Sequence, residues 1–137
     1  MPESSTHSRL VAELVSWIAT QYFGGDQGAL LVDSPENSKF AKPPRIEGYG
    51  PDVFGQILPG GAVVIGEAKT AGDVENRHTH DQVKAFMKYC AVQPKSILVL
   101  AVPWHHTRYA RSLLRNVGRS CGCTDVVATA VLEQLEG

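Results

Sequence analysis

The sequence predicts an α/β fold, a mixed β-sheet flanked by helices, with elements in the order α-β-β-β-α-β-α-β. Three observations carry that expectation. Residues 9–23 (RLVAELVSWIATQYF) repeat apolar side chains at helical spacing. Residues 52–58 (DVFGQIL) and 62–69 (AVVIGEAK) are rich in β-branched and aliphatic side chains, and Pro59-Gly60-Gly61 between them supplies turn chemistry. Residues 96–102 (SILVLAV) form a continuous apolar run, as in a strand buried on both faces of a sheet.

Taken in order, the first segment places Leu10, Val11, Leu14, Val15, Ile18 and Tyr22 on one stripe, the spacing of an amphipathic helix. Residues 29–33 (ALLVD) predict a short strand, and the Pro-, Ser- and Lys-rich residues 34–50 a long loop. The hairpin follows. Residues 79–91 (THDQVKAFMKYCA) predict a helix burying Val83, Phe86, Met87 and Cys90, capped by Thr79 or Asp81 and ended before Pro94. After the apolar strand, residues 106–119 predict a helix and residues 125–132 (DVVATAVL) a last strand or apolar edge. A strand to helix to strand connection of this kind is expected to be right-handed.

The hairpin sets up the chemistry. A four-residue loop, 58–61, puts Asp52 opposite Glu67, and directly opposite residues share a face of the sheet. Side chains alternate along a strand, so Lys69 points the same way as Glu67. A loop of odd length would send Asp52 to the other face. Two neighbouring carboxylates repel, and one ammonium neutralises only one of them. Mg²⁺ or Mn²⁺ resolves the imbalance, taking oxygen ligands from Asp52, Glu67 and the carbonyl of Ala68 and leaving positions for water and phosphate oxygens. Lys69 then orients the attacking water and offsets charge on the reacting phosphate. This residue set points to metal-dependent phosphodiester hydrolysis, against the plainer alternative of a charge cluster at a strand end.

Pro51-Asp52 and Glu67-Ala68-Lys69, in this order of elements, resemble the PD-(D/E)XK nuclease superfamily, whose fold is shared by restriction enzymes, Holliday junction resolvases and repair exonucleases. The resemblance extends over nearly the whole chain. It implies a restriction endonuclease-like core, a Mg²⁺ or Mn²⁺ cofactor and hydrolysis of DNA, with RNA as the substrate of a relative using the same metal site. It also implies that Glu13, the one acidic residue of the first helix, faces the metal site, a solvated helix carboxylate being the alternative. Gln82 and Tyr89 match a glutamine and tyrosine found in many members. The usual spacing between those two is four residues, and here Phe86 holds that place. The small size is similar to archaeal-type Holliday junction resolvases, which implies a homodimer; restriction, phage-defence and repair enzymes share the same metal site. A reading of another class is a non-catalytic nucleic-acid-binding or assembly subunit that retains the nuclease fold.

Composition sets the outer bounds. With 137 residues, 43% hydrophobic and 20% charged, residues 1–137 are expected to form one domain with a core of its own. No apolar run approaches the ~20 residues of a membrane helix, and the polar start MPESSTHSR lacks a secretory apolar region, so a cytoplasmic protein is expected. Three cysteines, with Cys121-Gly122-Cys123 too close for an ordinary bridge, are read as reduced thiols. A net charge of −1 argues against indiscriminate nucleic-acid affinity, so distribution matters more than the total. Arg108, Arg111, Arg115 and Arg119 recur at helical steps and form either a phosphate track or a solvated face. Arg77, Lys84 and Lys88 near the expected site, and Lys39, Lys42 and Arg45 in the long loop, are further phosphate-contact candidates. His78 and His80 are candidates for proton carriage or phosphate contact, with loop polarity as the alternative. His105 and His106 follow Trp104 at a strand end, where a loop often lines a site or a subunit contact; Trp104 and Tyr109 either stack on unpaired bases or pack.

Overall fold

The computed structural model describes residues 5–33, 41–57, 62–70, 76–123 and 127–134. The turn Pro59-Gly60-Gly61, Lys39 and the start of the last expected strand at Asp125 lie outside the described residues. The molecule is an α/β protein with a five-stranded mixed sheet, and its elements follow in the expected order.

Helix α1 (Ser5–Tyr22) buries Leu10, Val11, Leu14, Val15, Ile18 and Ala19 along one face. It begins four residues before the expected start, because the polar turn containing His7 carries no apolar period to announce it. Gly24 and Gly25 stop it: both adopt positive φ (61° and 87°), and the Gly25 amide donates back to the Ala19 carbonyl at 2.9 Å. Strand β1 (Leu31–Val32) is short, and strands β2 (Val53–Ile57) and β3 (Ala62–Ala68) pair antiparallel with Ile57 opposite Ala62 and Val53 opposite Gly66. That is the register of a four-residue connection, so Asp52 falls opposite Glu67 as expected.

Helix α2 (Arg77–Ala91) leads to strand β4 (Ser96–Pro103), and helix α3 (Thr107–Ser120) to strand β5 (Ala128–Gln134). Strands β3, β4 and β5 run parallel, and the sheet order is β1-β2-β3-β4-β5. The N-cap of α2 is Asn76, whose side chain accepts from the Thr79 amide at 2.8 Å, rather than Thr79 or Asp81. The reason is positional: Thr79 already lies inside the first turn and is fully buried, and Asp81 lies further in.

The sheet separates two apolar layers. On one side α1 packs on Val53, Val64, Ala68, Val99 and Ala101. On the other, α2 and α3 pack on Phe54, Val63, Ile65, Leu98, Leu100 and Val102. Gly66 faces α1, where an added Cβ would stand 2.9 Å from Ile18 Cδ1, so only a residue without a side chain lets the helix lie this close. The three cysteines are free thiols, and Cys121 Sγ lies 2.7 Å from Cys123 Sγ. Among the described residues no helix is long and apolar enough to cross a membrane.

Candidate functional site

Alternation along β3 turns Val63 and Ile65 toward α2, and Glu67 follows on the same side. Its neighbour Ala68 faces α1. Strand β2 starts just after Asp52, which the hairpin register sets beside Glu67. Both carboxylates are buried, Asp52 at 7% and Glu67 at 3% exposure.

Each acid is tied to the other's backbone. The Asp52 amide donates to Glu67 Oε1 at 3.0 Å, and the Ala68 amide donates to Asp52 Oδ2 at 2.8 Å. This reciprocal pair fixes both carboxyl groups relative to the sheet. Hydrogen bonds to a charged acceptor contribute about 1.5–3 kcal/mol each, enough to hold acids that would otherwise separate. The second oxygens are Asp52 Oδ1 and Glu67 Oε2, the latter paired with Lys69 Nζ at 3.2 Å. The Lys69 amide extends the ladder to the Ala101 carbonyl at 2.9 Å, so the base of that side chain is part of the sheet.

Burial, reinforced by the nearby negative charge of Asp52, pushes the Glu67 carboxyl up from 4.5 to about 8. Lys69 and the Asp52 amide act in the opposite direction without overcoming it. The acid pair is therefore short of positive charge. A hard divalent cation is the chemical species that corrects this, and the donor set fits: two carboxylates with unused lone pairs, plus the Ala68 carbonyl on the strand edge whose amide already reaches Asp52. Among the described residues no group of three or more His, Cys, Asp or Glu side chains gathers at one point.

His7, in the first turn of α1, reaches Asp52 Oδ2 through Nε2 at 3.4 Å. It is the residue that sequence reasoning missed, since nothing in a polar N-terminal turn signals a contact with a strand start. Glu13, expected to face the site from that helix, is exposed to solvent six positions further on. Gln82 lies on the buried face of α2 in its second turn, and its Oε1 has no hydrogen-bond partner among the described residues. Phe86 is wholly buried and Tyr89 packs edge-on against Phe54 at 6.3 Å, so both serve the core.

The basic residues separate into groups. Because α2 runs back along the sheet from the end of β3, exposed Arg77 is at the site's edge, while Lys88 is about 16 Å further along the helix, near Cys123. Lys84 and Lys88 line a pocket with Glu47 and Asp81. Lys42 pairs with Asp33 at 3.9 Å and Arg45 donates to the Gly48 carbonyl, so both are engaged locally. Arg108, Arg111, Arg115 and Arg119 are exposed along α3, as their spacing predicts. The exposed His78 ring meets Tyr49 at 5.5 Å, and His80 lies 3.6 Å from Asp81. Beyond the end of β4, Trp104, His105 and His106 meet edge-on in turn, and the His106 ring is tilted against Tyr109.

One further property belongs to the whole edge. Helices α2 and α3 start from the carboxyl ends of β3 and β4, and His7 brings the start of α1 to the same place. None of the three carries an acid in its first turn. Helix N-termini favour anions, and the carboxyl ends of parallel strands are the usual place for a ligand in such sheets. No protein family, curated protein or solved structure matches the chain.

Proposed function

We propose that this protein is a metal-dependent nuclease of the PD-(D/E)XK kind, a cytoplasmic phosphodiester hydrolase that cuts DNA with Mg²⁺ or Mn²⁺. The observation that carries the reading is the buried Asp52–Glu67 pair, cross-bonded through the Asp52 and Ala68 amides, with the Lys69 amine 3.2 Å from Glu67. The restriction endonuclease-like arrangement is supported by the element order and by antiparallel pairing of β2 with β3 followed by parallel pairing of β3 with β4. Asp52, Glu67 and the Ala68 carbonyl would hold the cation. When bound, it supplies an acidified water and a counter-charge for phosphate oxygens.

The rest is the work of the chain's own residues. Lys69, held between Glu67 and the ladder, keeps a positive charge where the transition state gains negative charge. The starts of α2 and α3, free of acids, favour the phosphate that carries the scissile bond. His7 sits against Asp52 and can pass a proton to or from solvent. Gln82, whose Oε1 has no hydrogen-bond partner among the described residues, offers an acceptor to a group entering from the α2 side.

The test is cleavage of a panel of linear, single-stranded, flapped and four-way DNA, and of RNA. Cutting with Mn²⁺ or Mg²⁺ and none with EDTA is expected, and Asp52→Ala or Lys69→Ala should each lower the rate by about 100-fold or more. Undiminished cutting by either variant would remove the assignment. Failure to bind millimolar Mn²⁺ in a calorimetric titration would leave a nucleic-acid-binding subunit that keeps the fold.

A further inference from the structure

We propose that Trp104, with His105, His106 and Tyr109, forms a stacking platform for an unpaired nucleobase beside the carboxylate pair, so that the substrate is a nucleic acid with single-stranded character. This assignment rests on the nuclease reading and narrows its substrate.

Trp104 is 55% and Tyr109 51% exposed, whereas the other described Trp, Tyr and Phe side chains are at least partly covered. Their exposure is organised rather than scattered. Ring centroids follow one another at 5.4 Å from Trp104 to His105 and 4.3 Å to His106, both edge-on, and at 5.9 Å to Tyr109, tilted by 37°, so each ring buttresses the next edge-first. The backbone beneath is held: residues 104–106 form a 3-10 turn, and Thr107 Oγ1 donates to the Trp104 carbonyl at 2.9 Å. A pre-placed ring loses little freedom when a base settles on it.

Position selects the occupant. Glu67 pairs with Leu100, and Trp104 lies four residues further, about 13 Å beyond the strand level of the carboxylates. That distance is of the order of a nucleotide step or two along an extended strand. Arg108 is exposed in the first turn of α3, which contains no acid, so a phosphate can be neutralised next to the stacked base. Aromatic faces combined with cationic residues are the means by which single strands are bound without sequence preference. A duplex keeps its bases stacked inside and gives the platform nothing to hold.

The test measures binding in EDTA, where nothing is cut, by fluorescence anisotropy of a labelled short single strand and of the blunt duplex of the same sequence. Trp104→Ala should weaken the single strand about tenfold and leave the duplex unchanged, Tyr109→Ala should weaken it less, and Trp104→Phe should restore most of the affinity. Far-ultraviolet circular dichroism checks the fold of each variant. Equal losses on both nucleic acids, or no loss on either, would overturn the platform. So would a dimer that dissociates on Trp104→Ala in sedimentation velocity, which would assign the patch to contact between copies. Selective single-strand loss in a protein that never cuts keeps the platform and removes the hydrolase; cutting with no such selectivity does the reverse.

Discussion

Burial at the edge of β3 makes the Glu67 carboxyl a weak acid, and this has a consequence for stability that can be given a sign. Its value in the folded protein, about 8, lies above the ordinary 4.5. Between those pH values the folded state keeps a proton that the unfolded chain has released, so stability falls as pH rises through the interval. Each tenfold difference in proton affinity between the two states corresponds to about 1.4 kcal/mol, so the full effect is on the order of 5 kcal/mol. Urea midpoints measured in EDTA at pH 5 and pH 8 should show that decline in the wild type, and Glu67→Gln should flatten it. Other ionisable groups also change charge over this range. The difference between wild type and Glu67→Gln is therefore the quantity to read, and equal declines in both would contradict a raised Glu67. Mn²⁺ should restore stability to the wild type at pH 8 more than at pH 5, because a cation binds the ionised carboxylate. The restoration should be absent in Glu67→Gln.

At the scale of elements, the site depends on how close α1 can lie to β3. A Cβ on Gly66 would meet Ile18 Cδ1 at 2.9 Å, Val53 Cβ at 3.3 Å and Leu14 Cδ2 at 3.4 Å. Gly66→Ala should destabilise the protein by about 1–3 kcal/mol through overpacking. It should also move His7 away from Asp52, since the helix must lift as a unit. Adding Ile18→Val, which deletes the clashing atom, should recover part of the loss; a double variant as unstable as the sum of the singles would refute this packing account. The same element shows how far sequence reading reaches. Apolar period located α1 and α2, β-branched runs with turn residues between them located the hairpin strands, and the four-residue connection gave the correct pairing of Asp52 with Glu67, because register follows loop parity. The approach of His7 to Asp52 has no such signature, because it depends on the angle at which α1 crosses the sheet. The Asn76 cap lay just ahead of equally good capping residues at Thr79 and Asp81, and only the position of the first helical turn decides among them. Glu13 matched a family pattern by residue type, yet its place on the helix turns it to solvent.

Over the whole molecule, a net charge of −1 means that any nucleic-acid affinity comes from where the cations stand. Two rows of basic residues leave the carboxyl edge of the sheet, along α2 and along α3, and their surroundings differ. Lys84 and Lys88 share their pocket with Glu47 and Asp81, which offset them locally. Arg111 and Arg115 border a groove of about 290 Å³ lined otherwise by residues without charge, among them Leu114, Val127 and Val131. With Arg108 the α3 row spans about 10 Å, the reach of two or so phosphates along one strand. Its field therefore adds to that of Arg77 and Lys69 at the edge, whereas the α2 row contributes little. Counterion release converts this into a measurable slope, about −0.9 in log affinity against log salt for each phosphate neutralised on a duplex and about −0.7 on a single strand. For a flapped DNA bound in EDTA, Arg108→Ala, Arg111→Ala and Arg115→Ala should each reduce the magnitude of that slope by roughly one contact's worth. Lys84→Ala and Lys88→Ala should leave it unchanged. The reverse pattern would move the path of the nucleic acid to α2, and it would then have to pass over Glu47 and Asp81 to reach the carboxylate pair.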